Sequence, residues 1–338
     1  MQVVQTARGL AELGVDTEIL LSNQAISYKD YDLLHFFNII RPADILYHSK
    51  KANIPFVVST ILVNYSEYDQ NHRKGIAALF SYLPGDSIEY LKTIARWALG
   101  RDHLASLDYT WKGQRKSILE ILGKAKMILP NSESEYRRLQ KNYSSEVKCM
   151  VVPNGVDPAL FKNDPGTKKD EFLVLCVARI EGIKNQLNLI LALNNTRFRL
   201  LIIGAPAPNQ PEYYRQCREL AANNIAFIDQ LPQEDLVAYY SKAKVHVLPS
   251  WFETTGLSSI EAAAMGCNIV ITDKGDTREY FESEAFYCDP SNPQNILKAV
   301  EQASNAPYGE KLQRKIQHQY TWKHTAIQTL KAYQLTVA

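Results

Sequence analysis

Phe172-Leu173-Val174-Leu175-Cys176-Val177 is followed by Gln186-Leu187-Asn188-Leu189-Ile190-Leu191-Ala192-Leu193 and then by Phe198-Arg199-Leu200-Leu201-Ile202-Ile203-Gly204. The first and third runs have the length and apolar continuity of buried strands, and the second has helical spacing. The alternation continues outward: helical over 213–222, strand over 225–228, helical over 234–242, strand over 245–248, helical over 259–265 and strand over 268–272. Strands that are apolar throughout, separated by helices, predict a parallel sheet covered on both faces. A doubly wound domain of this kind binds ligands beyond the carboxyl ends of its strands, so the residues just after each strand are the ones to inspect.

Toward the N-terminus the alternation is looser. Residues 15–21, 33–37, 56–59 and 127–129 read as strands, and 88–123 as one long helical stretch. The predicted architecture is therefore α/β, with two Rossmann-like doubly wound domains facing a cleft. Residues 1–13 carry Val4, Ala7, Leu10 and Ala11 at helical spacing and end near Gly14. A doubly wound domain normally opens with a strand and a glycine turn that feed such a helix, so the N-terminal domain is expected to lack its first strand. Between the halves, Val151-Val152-Pro153-Asn154-Gly155-Val156-Asp157-Pro158 contains two prolines and an Asn-Gly pair, the signature of a turn or hinge.

The chain of 338 residues is long enough for two apolar cores, and 46% hydrophobic with 22% charged residues excludes wholesale disorder. A net charge of +2 supplies no general field for nucleic acid. Basic side chains do concentrate at Lys92, Arg96, Arg101, Lys112, Arg115, Lys116, Lys124 and Lys126, against Asp102, Asp108 and Glu120. They form either a solvated helical face or a cradle for anionic lipid or phosphate. Cys149, Cys176, Cys217, Cys267 and Cys288 show no metal-ligand spacing and read as reduced core thiols. With no apolar run long enough to span a bilayer, the expected location is cytoplasmic, with peripheral contact at the inner membrane face.

The stretch richest in chemistry is Leu248-Pro249-Ser250-Trp251-Phe252-Glu253-Thr254-Thr255-Gly256-Leu257-Ser258-Ser259-Ile260-Glu261-Ala262-Ala263-Ala264-Met265-Gly266. It reads strand, loop, helix, with a glycine just before the helix. Backbone N–H groups and the positive end of the helix dipole favour an anion there, and Gly256 would let a phosphate approach. Glu253 in the loop and Glu261 one turn into the helix could accept hydroxyl hydrogen bonds on either side of a bound diphosphate. The competing reading is a capping box, Ser258-Ser259-Ile260-Glu261, in which Glu261 only satisfies the helix N-terminus. After the 172–177 strand, Arg179 and Lys184 lie at the same sheet edge, where two cations would hold a diphosphate and stabilise the charge on it as it leaves. Ordinary surface charge is the alternative for that pair.

In order and spacing these segments resemble the retaining glycosyltransferases of family 4, which have the two-domain GT-B fold. The resemblance rests on Val152-Pro153-Asn154-Gly155-Val156-Asp157, on Val177-Ala178-Arg179 with Lys184-Asn185, and on the E-x7-E motif from Glu253 to Glu261 with the following Ala262-Ala263-Ala264-Met265-Gly266. Weaker matches are Leu129-Pro130-Asn131-Ser132-Glu133 and Tyr320-Thr321-Trp322, so the resemblance covers most of the chain from about Lys126.

The resemblance implies an acceptor-side domain over 1–153, a donor domain over 154–320, and a terminal helix over 321–338 that crosses back to the first. It implies that Arg179 and Lys184 bind the donor diphosphate and that Glu253 binds the transferred sugar. Glu261 would hold the ribose, Thr254, Thr255, Gly256 and Leu257 would surround the phosphates, and Gln230 and Leu231 would touch the base. On the acceptor side the candidates are Asn154, Ser132 and His103, with His35 and His72 as further histidines. The implied activity is metal-independent transfer of a hexose from a nucleoside diphosphate sugar to a saccharide or lipid-linked acceptor, as in surface polysaccharide assembly. No cofactor is expected. Asp30-Tyr31-Asp32 is formally a DxD but introduces a strand, so no metal site is assigned to it. Other readings on the same architecture are a nucleotide-sugar epimerase, a phosphorylase, and a catalytically impaired nucleotide-sugar-binding protein.

Overall fold

The computed structural model describes residues 1–64, 67–68, 85–100, 103–144, 146–163 and 167–337. The chain folds as two compact units, one of 1–154 with 322–338 and the other of 155–321.

The second unit is built on a six-stranded, wholly parallel sheet. Its strands are β4 (Asp170–Val177), β5 (Arg199–Ile203), β6 (Ile225–Ile228), β7 (Ala243–Leu248), β8 (Asn268–Thr272) and β9 (Phe286–Cys288), in the order β6-β5-β4-β7-β8-β9. Along β4, Leu175 packs into the layer that holds Leu248, Ile260 and Ile271, while Val174 and Cys176 pack into the opposite layer with Leu189, Ile190 and Val245. Successive residues of a strand face opposite sides, so a strand segment covered on both faces must be apolar at every position, as residues 172–177 are. The covering helices are α6 (Gln186–Leu193), α7 (Pro211–Leu220), α8 (Gln233–Lys242), α9 (Leu257–Ala264), α10 (Thr277–Phe281), α11 (Pro293–Asn305) and α12 (Glu310–Gln319). Strands β4 to β6 wind one way from the middle of the sheet and β7 to β9 the other, so the switch point lies between β4 and β7.

The first unit holds a parallel sheet of β1 (Leu34–Phe37), β2 (Phe56–Ser59) and β3 (Met127–Ile128), in that order. Its helices are α1 (Gln2–Glu12), α2 (Pro42–Ala52), α3 (Gly85–Ala98), α4 (Asp108–Lys124), α5 (Glu133–Tyr143) and α13 (Trp322–Val337). Val58 and Ile128 pack with Leu46, Ile121 and Leu139 on one face of the sheet, and Val57 and Met127 with Ala332 and Tyr333 on the other.

Two expectations fail here. Residues 15–21 form no strand: Ile19 and Leu21 are exposed, and β1, which such a strand would adjoin, stands at the sheet edge with no partner on its outer side among the described residues. The helical stretch over 88–123 is two helices, because Gly100 takes a left-handed conformation after α3 and Gly113 (φ 71°, ψ −178°) kinks α4. No helix among the described residues is long and apolar enough to cross a membrane.

Candidate functional site

The loops that follow β4 and β7 meet at the switch point. The backbone N–H of Trp251 donates to the carbonyl of Ile183 at 2.8 Å. Asn185, left-handed at φ 61°, donates through Nδ2 to the carbonyls of Pro249 at 3.0 Å and Pro290 at 2.7 Å. With the loops fixed in this way, the Lys184 Nζ donates to Glu253 Oε2 at 2.7 Å, and Ser250 Oγ donates to the same oxygen at 3.0 Å. Glu253 is buried and Lys184 half-buried, its side chain 23% exposed, in an ion pair at the carboxyl edge of the sheet.

The Glu253 backbone is held just as firmly. Its N–H donates to the Lys274 carbonyl at 3.1 Å and its own carbonyl accepts from Asp276 at 2.9 Å. A Cβ on Gly275, which has φ +100°, would lie 2.1 Å from that carbonyl oxygen, so only glycine allows the β8 loop to come this close. Three residues on, Gly256 (φ 69°, ψ 61°) is the N-cap of α9, and the backbone N–H groups of the first turn start there. Thr255 is buried with its Oγ1 donating to the Tyr280 hydroxyl at 3.3 Å, while Thr254 and Leu257 are half-buried. Glu253, Lys184 and the start of α9 thus converge on one edge of the sheet.

Glu261 does not cap the helix. Because α9 begins at Leu257, Ser258 lies inside its first turn and the capping-box reading fails. The Glu261 carboxylate turns instead toward α8, where Oε1 accepts from Gln233 Nε2 at 2.6 Å and Oε2 from the Tyr240 hydroxyl at 3.0 Å. Burial pushes its pKa up to about 7, although both hydrogen bonds favour the ionised form and act the other way. Tyr240, wholly buried and beside this acid, is raised well above the ordinary phenol value and remains a donor. Exposed Gln230 and half-buried Leu231 precede α8 by a few residues, in the loop beyond β6. Arg179 follows β4 as expected, but its side chain is well exposed and paired with Glu181 at 2.9 Å. The structure therefore joins Lys184 directly to Glu253 and leaves the Arg179 side chain exposed and paired with Glu181.

The acceptor-side candidates all fall in the first unit. Ser132 is the N-cap of α5, its Oγ accepting from the Glu135 N–H at 3.0 Å. Glu135 reaches back to accept from the backbone N–H groups of Leu62 and Asn131, both at 2.8 Å, and from the Thr60 hydroxyl. His103 is exposed at a shallow pocket with Arg41, Trp97 and Tyr109. Asn154 is buried at the last position before the second unit. His35 is half-buried, in hydrogen-bond contact with the Tyr333 hydroxyl at 2.8 Å and Ser59 Oγ at 2.9 Å, and desolvation lowers its pKa to about 3. His72, Arg101 and Asp102 lie outside the described residues.

Sequence reading missed Ser250, Gln233, Tyr240 and Gly275. Ser250 and Gly275 each follow a strand of the sheet and could have been picked out on that ground. Gln233 and Tyr240 carried no signal, since only the packing of α8 against α9 aims them at Glu261.

Residues 159–322 match the family described as glycosyl transferases group 1. The D-inositol 3-phosphate glycosyltransferase of Acidothermus cellulolyticus is 27% identical over 179 residues, which is 46% of this chain and 40% of that protein. A longer match, 26% identical over 321 residues, covers 84% of this chain and 80% of an N-acetylgalactosamine-N,N'-diacetylbacillosaminyl-diphospho-undecaprenol 4-alpha-N-acetylgalactosaminyltransferase from Campylobacter jejuni. Several of the curated relatives are matched over only about half of their length or less. Among solved structures, sucrose-phosphate synthase from Thermosynechococcus elongatus superposes with a TM-score of 0.71 at 20% identity, covering 90% of this chain and 73% of that one. Anabaena HepE in complex with UDP and glucose superposes at 0.65 with 15% identity, covering 90% and 78%. The group 1 match over the second unit, together with this fold, supports a glycosyltransferase with the GT-B fold.

Proposed function

We propose that the chain is a retaining glycosyltransferase that moves a hexose from a nucleoside diphosphate sugar to a saccharide or lipid-linked acceptor, in the assembly of a surface glycan. The observation that carries this reading is the meeting of Lys184, Glu253 and the α9 N-terminus at the β4/β7 switch point, where a doubly wound sheet takes its ligand. The likeness to a HepE structure that holds UDP-glucose and to an undecaprenol-linked sugar transferase supports the donor and acceptor classes.

The donor diphosphate would compete with Glu253 for Lys184 and rest on the backbone N–H groups that begin α9. Released from its cation, Glu253 would accept hydroxyl hydrogen bonds from the transferred sugar, and Glu261 would accept them from the ribose. Cleavage of the anomeric bond leaves an oxocarbenium-like sugar and an extra negative charge on the diphosphate. Lys184, Arg179 and the helix N-terminus stabilise that charge as it develops, which lowers the barrier selectively. An acceptor hydroxyl that attacks from the leaving-group face can pass its proton to a phosphate oxygen, so configuration is retained and no protein nucleophile is needed.

The test is incubation with a panel of labelled nucleoside diphosphate sugars and a mixture of saccharide and lipid-linked acceptors, with the anomeric configuration of the product read by NMR. Acceptor-dependent transfer with retained configuration is expected. An inverted product, or epimerised donor formed without acceptor, would overturn the reading.

A further inference from the structure

Lys169 stands just before β4 and is buried, at 4% exposure. Its partners among the described residues include no carboxylate. Nζ donates to the carbonyls of Tyr240 at 2.8 Å, Ala243 at 3.1 Å and Ser241 at 3.4 Å, and lies 3.6 Å from Cys267 Sγ. An ammonium carries three N–H groups, and burial is tolerated only where they find acceptors. Tyr240 and Ser241 lie at the end of α8, where the last carbonyls have no partner within the helix and the dipole favours a cation. The side chain that meets them comes from 71 residues before Tyr240 in the chain.

The same cluster reaches α9. Cys267 is wholly buried and donates through Sγ to the carbonyls of Tyr240 at 3.2 Å and Ala243 at 3.3 Å. A Cβ on Gly266 would lie 3.6 Å from Lys169 Cε, so the lysine stem runs beside the turn that follows α9. Lys169 and Cys267 thus tie the C-terminal end of α8 to that of α9.

Glu261 sits between those two helices. On α8, Gln233 and Tyr240 are seven positions apart, two turns or about 10 Å along one face, and each donates to one oxygen of the carboxylate that α9 carries. Both contacts are made together only at one axial position of α8 against α9. Apolar packing is not directional, whereas hydrogen bonds to main-chain carbonyls are, so the cluster around Lys169 can fix that position.

We propose that Lys169 is a positioning residue for the donor site: by holding the last carbonyls of α8 it keeps Gln233 and Tyr240 on Glu261 and so presents that carboxylate to the ribose hydroxyls of the nucleotide. The role of Lys169 rests on the ribose-binding role proposed above for Glu261.

The test is calorimetric titration of the full chain with UDP, GDP and ADP, and with the analogue of the tightest binder that lacks both ribose hydroxyls. The ratio of the two affinities separates the hydroxyl contacts from those to diphosphate and base. The parent is expected to prefer the hydroxylated nucleotide by about tenfold or more. Lys169→Met keeps the stem and loses the ammonium, and Tyr240→Phe keeps the ring and loses the hydroxyl; each should lower that ratio at least about threefold. Lys169→Gln retains a donor, is the milder change for folding, and should lower it by about twofold or more. A lysine that served folding alone would lower the melting temperature and both affinities alike and leave the ratio at the parent value. An unchanged ratio in the Lys169 variants, with the parent discriminating, would overturn the positioning role and leave the ribose role of Glu261 standing. A parent that binds none of the three nucleotides, or binds the hydroxylated form and its analogue equally, would overturn the reading of the donor site and the role of Lys169 with it.

Discussion

Glu261 shows how burial alone can set the working range of an acid. Its carboxylate is held from both sides by Gln233 and Tyr240, yet desolvation keeps its pKa near 7. A folded-state pKa raised above the unfolded value means that the ionised acid is penalised in the native protein. Stability is therefore highest below about pH 4.5 as far as this group is concerned, and falls as pH rises toward 7. Glu261→Gln should accordingly melt higher than the parent at pH 8 and equal to it near pH 4, by up to about 3 kcal/mol; thermal melts across that range check it. Under the proposed role, donor binding is expected to have the opposite slope, because ribose hydroxyls would donate to the ionised form. The ratio of parent to Glu261→Gln affinity for a nucleoside diphosphate should rise from pH 6 to pH 8, and a flat ratio in calorimetry would count against the ribose role. Ser132 carries a plainer expectation: Ser132→Ala removes the α5 cap and should cost about 1 kcal/mol of stability, read in denaturant melts.

At the scale of elements, the close approach of the β8 loop to Glu253 is the most demanding local arrangement of the site. Gly275→Ala would drive a Cβ into the Glu253 carbonyl, so the loop must shift and take the Lys184–Glu253 pair with it. A loss of roughly 2 kcal/mol or more in stability and a fall in turnover are expected together; a variant that melts normally and turns over normally would show that the loop has room to spare.

The strands of the second unit were legible because each has a largely apolar core run, and β6 and β8 begin and end where the spacing places them. β9 was not read, since Phe286-Tyr287-Cys288 is three residues long at the sheet edge. In the first unit the breaks at Gly100 and Gly113 were hidden inside an apolar periodicity that runs through both. Of the candidate site, the post-strand residues Lys184, Glu253 and Gly256 could be found by position. The partners that aim Glu261 could not, because Gln233 and Tyr240 reach it across a helix-to-helix contact with no trace in local spacing.

For the molecule as a whole, the proposed function makes donor binding an exchange of partners at Lys184. Its half-buried ammonium is paired with Glu253, and the donor diphosphate is expected to replace that carboxylate. The two partners then make opposite forecasts for a nucleoside diphosphate that carries no sugar. The most direct measurement is calorimetric titration of nucleoside diphosphate into the parent, Lys184→Ala and Glu253→Gln. A charge-assisted phosphate contact of about 1.5–3 kcal/mol predicts at least about tenfold weaker binding by Lys184→Ala. Glu253→Gln should bind as tightly as the parent or more tightly, since its cation is no longer neutralised. Unchanged affinity in Lys184→Ala, together with weakened binding in Glu253→Gln, would contradict the exchange.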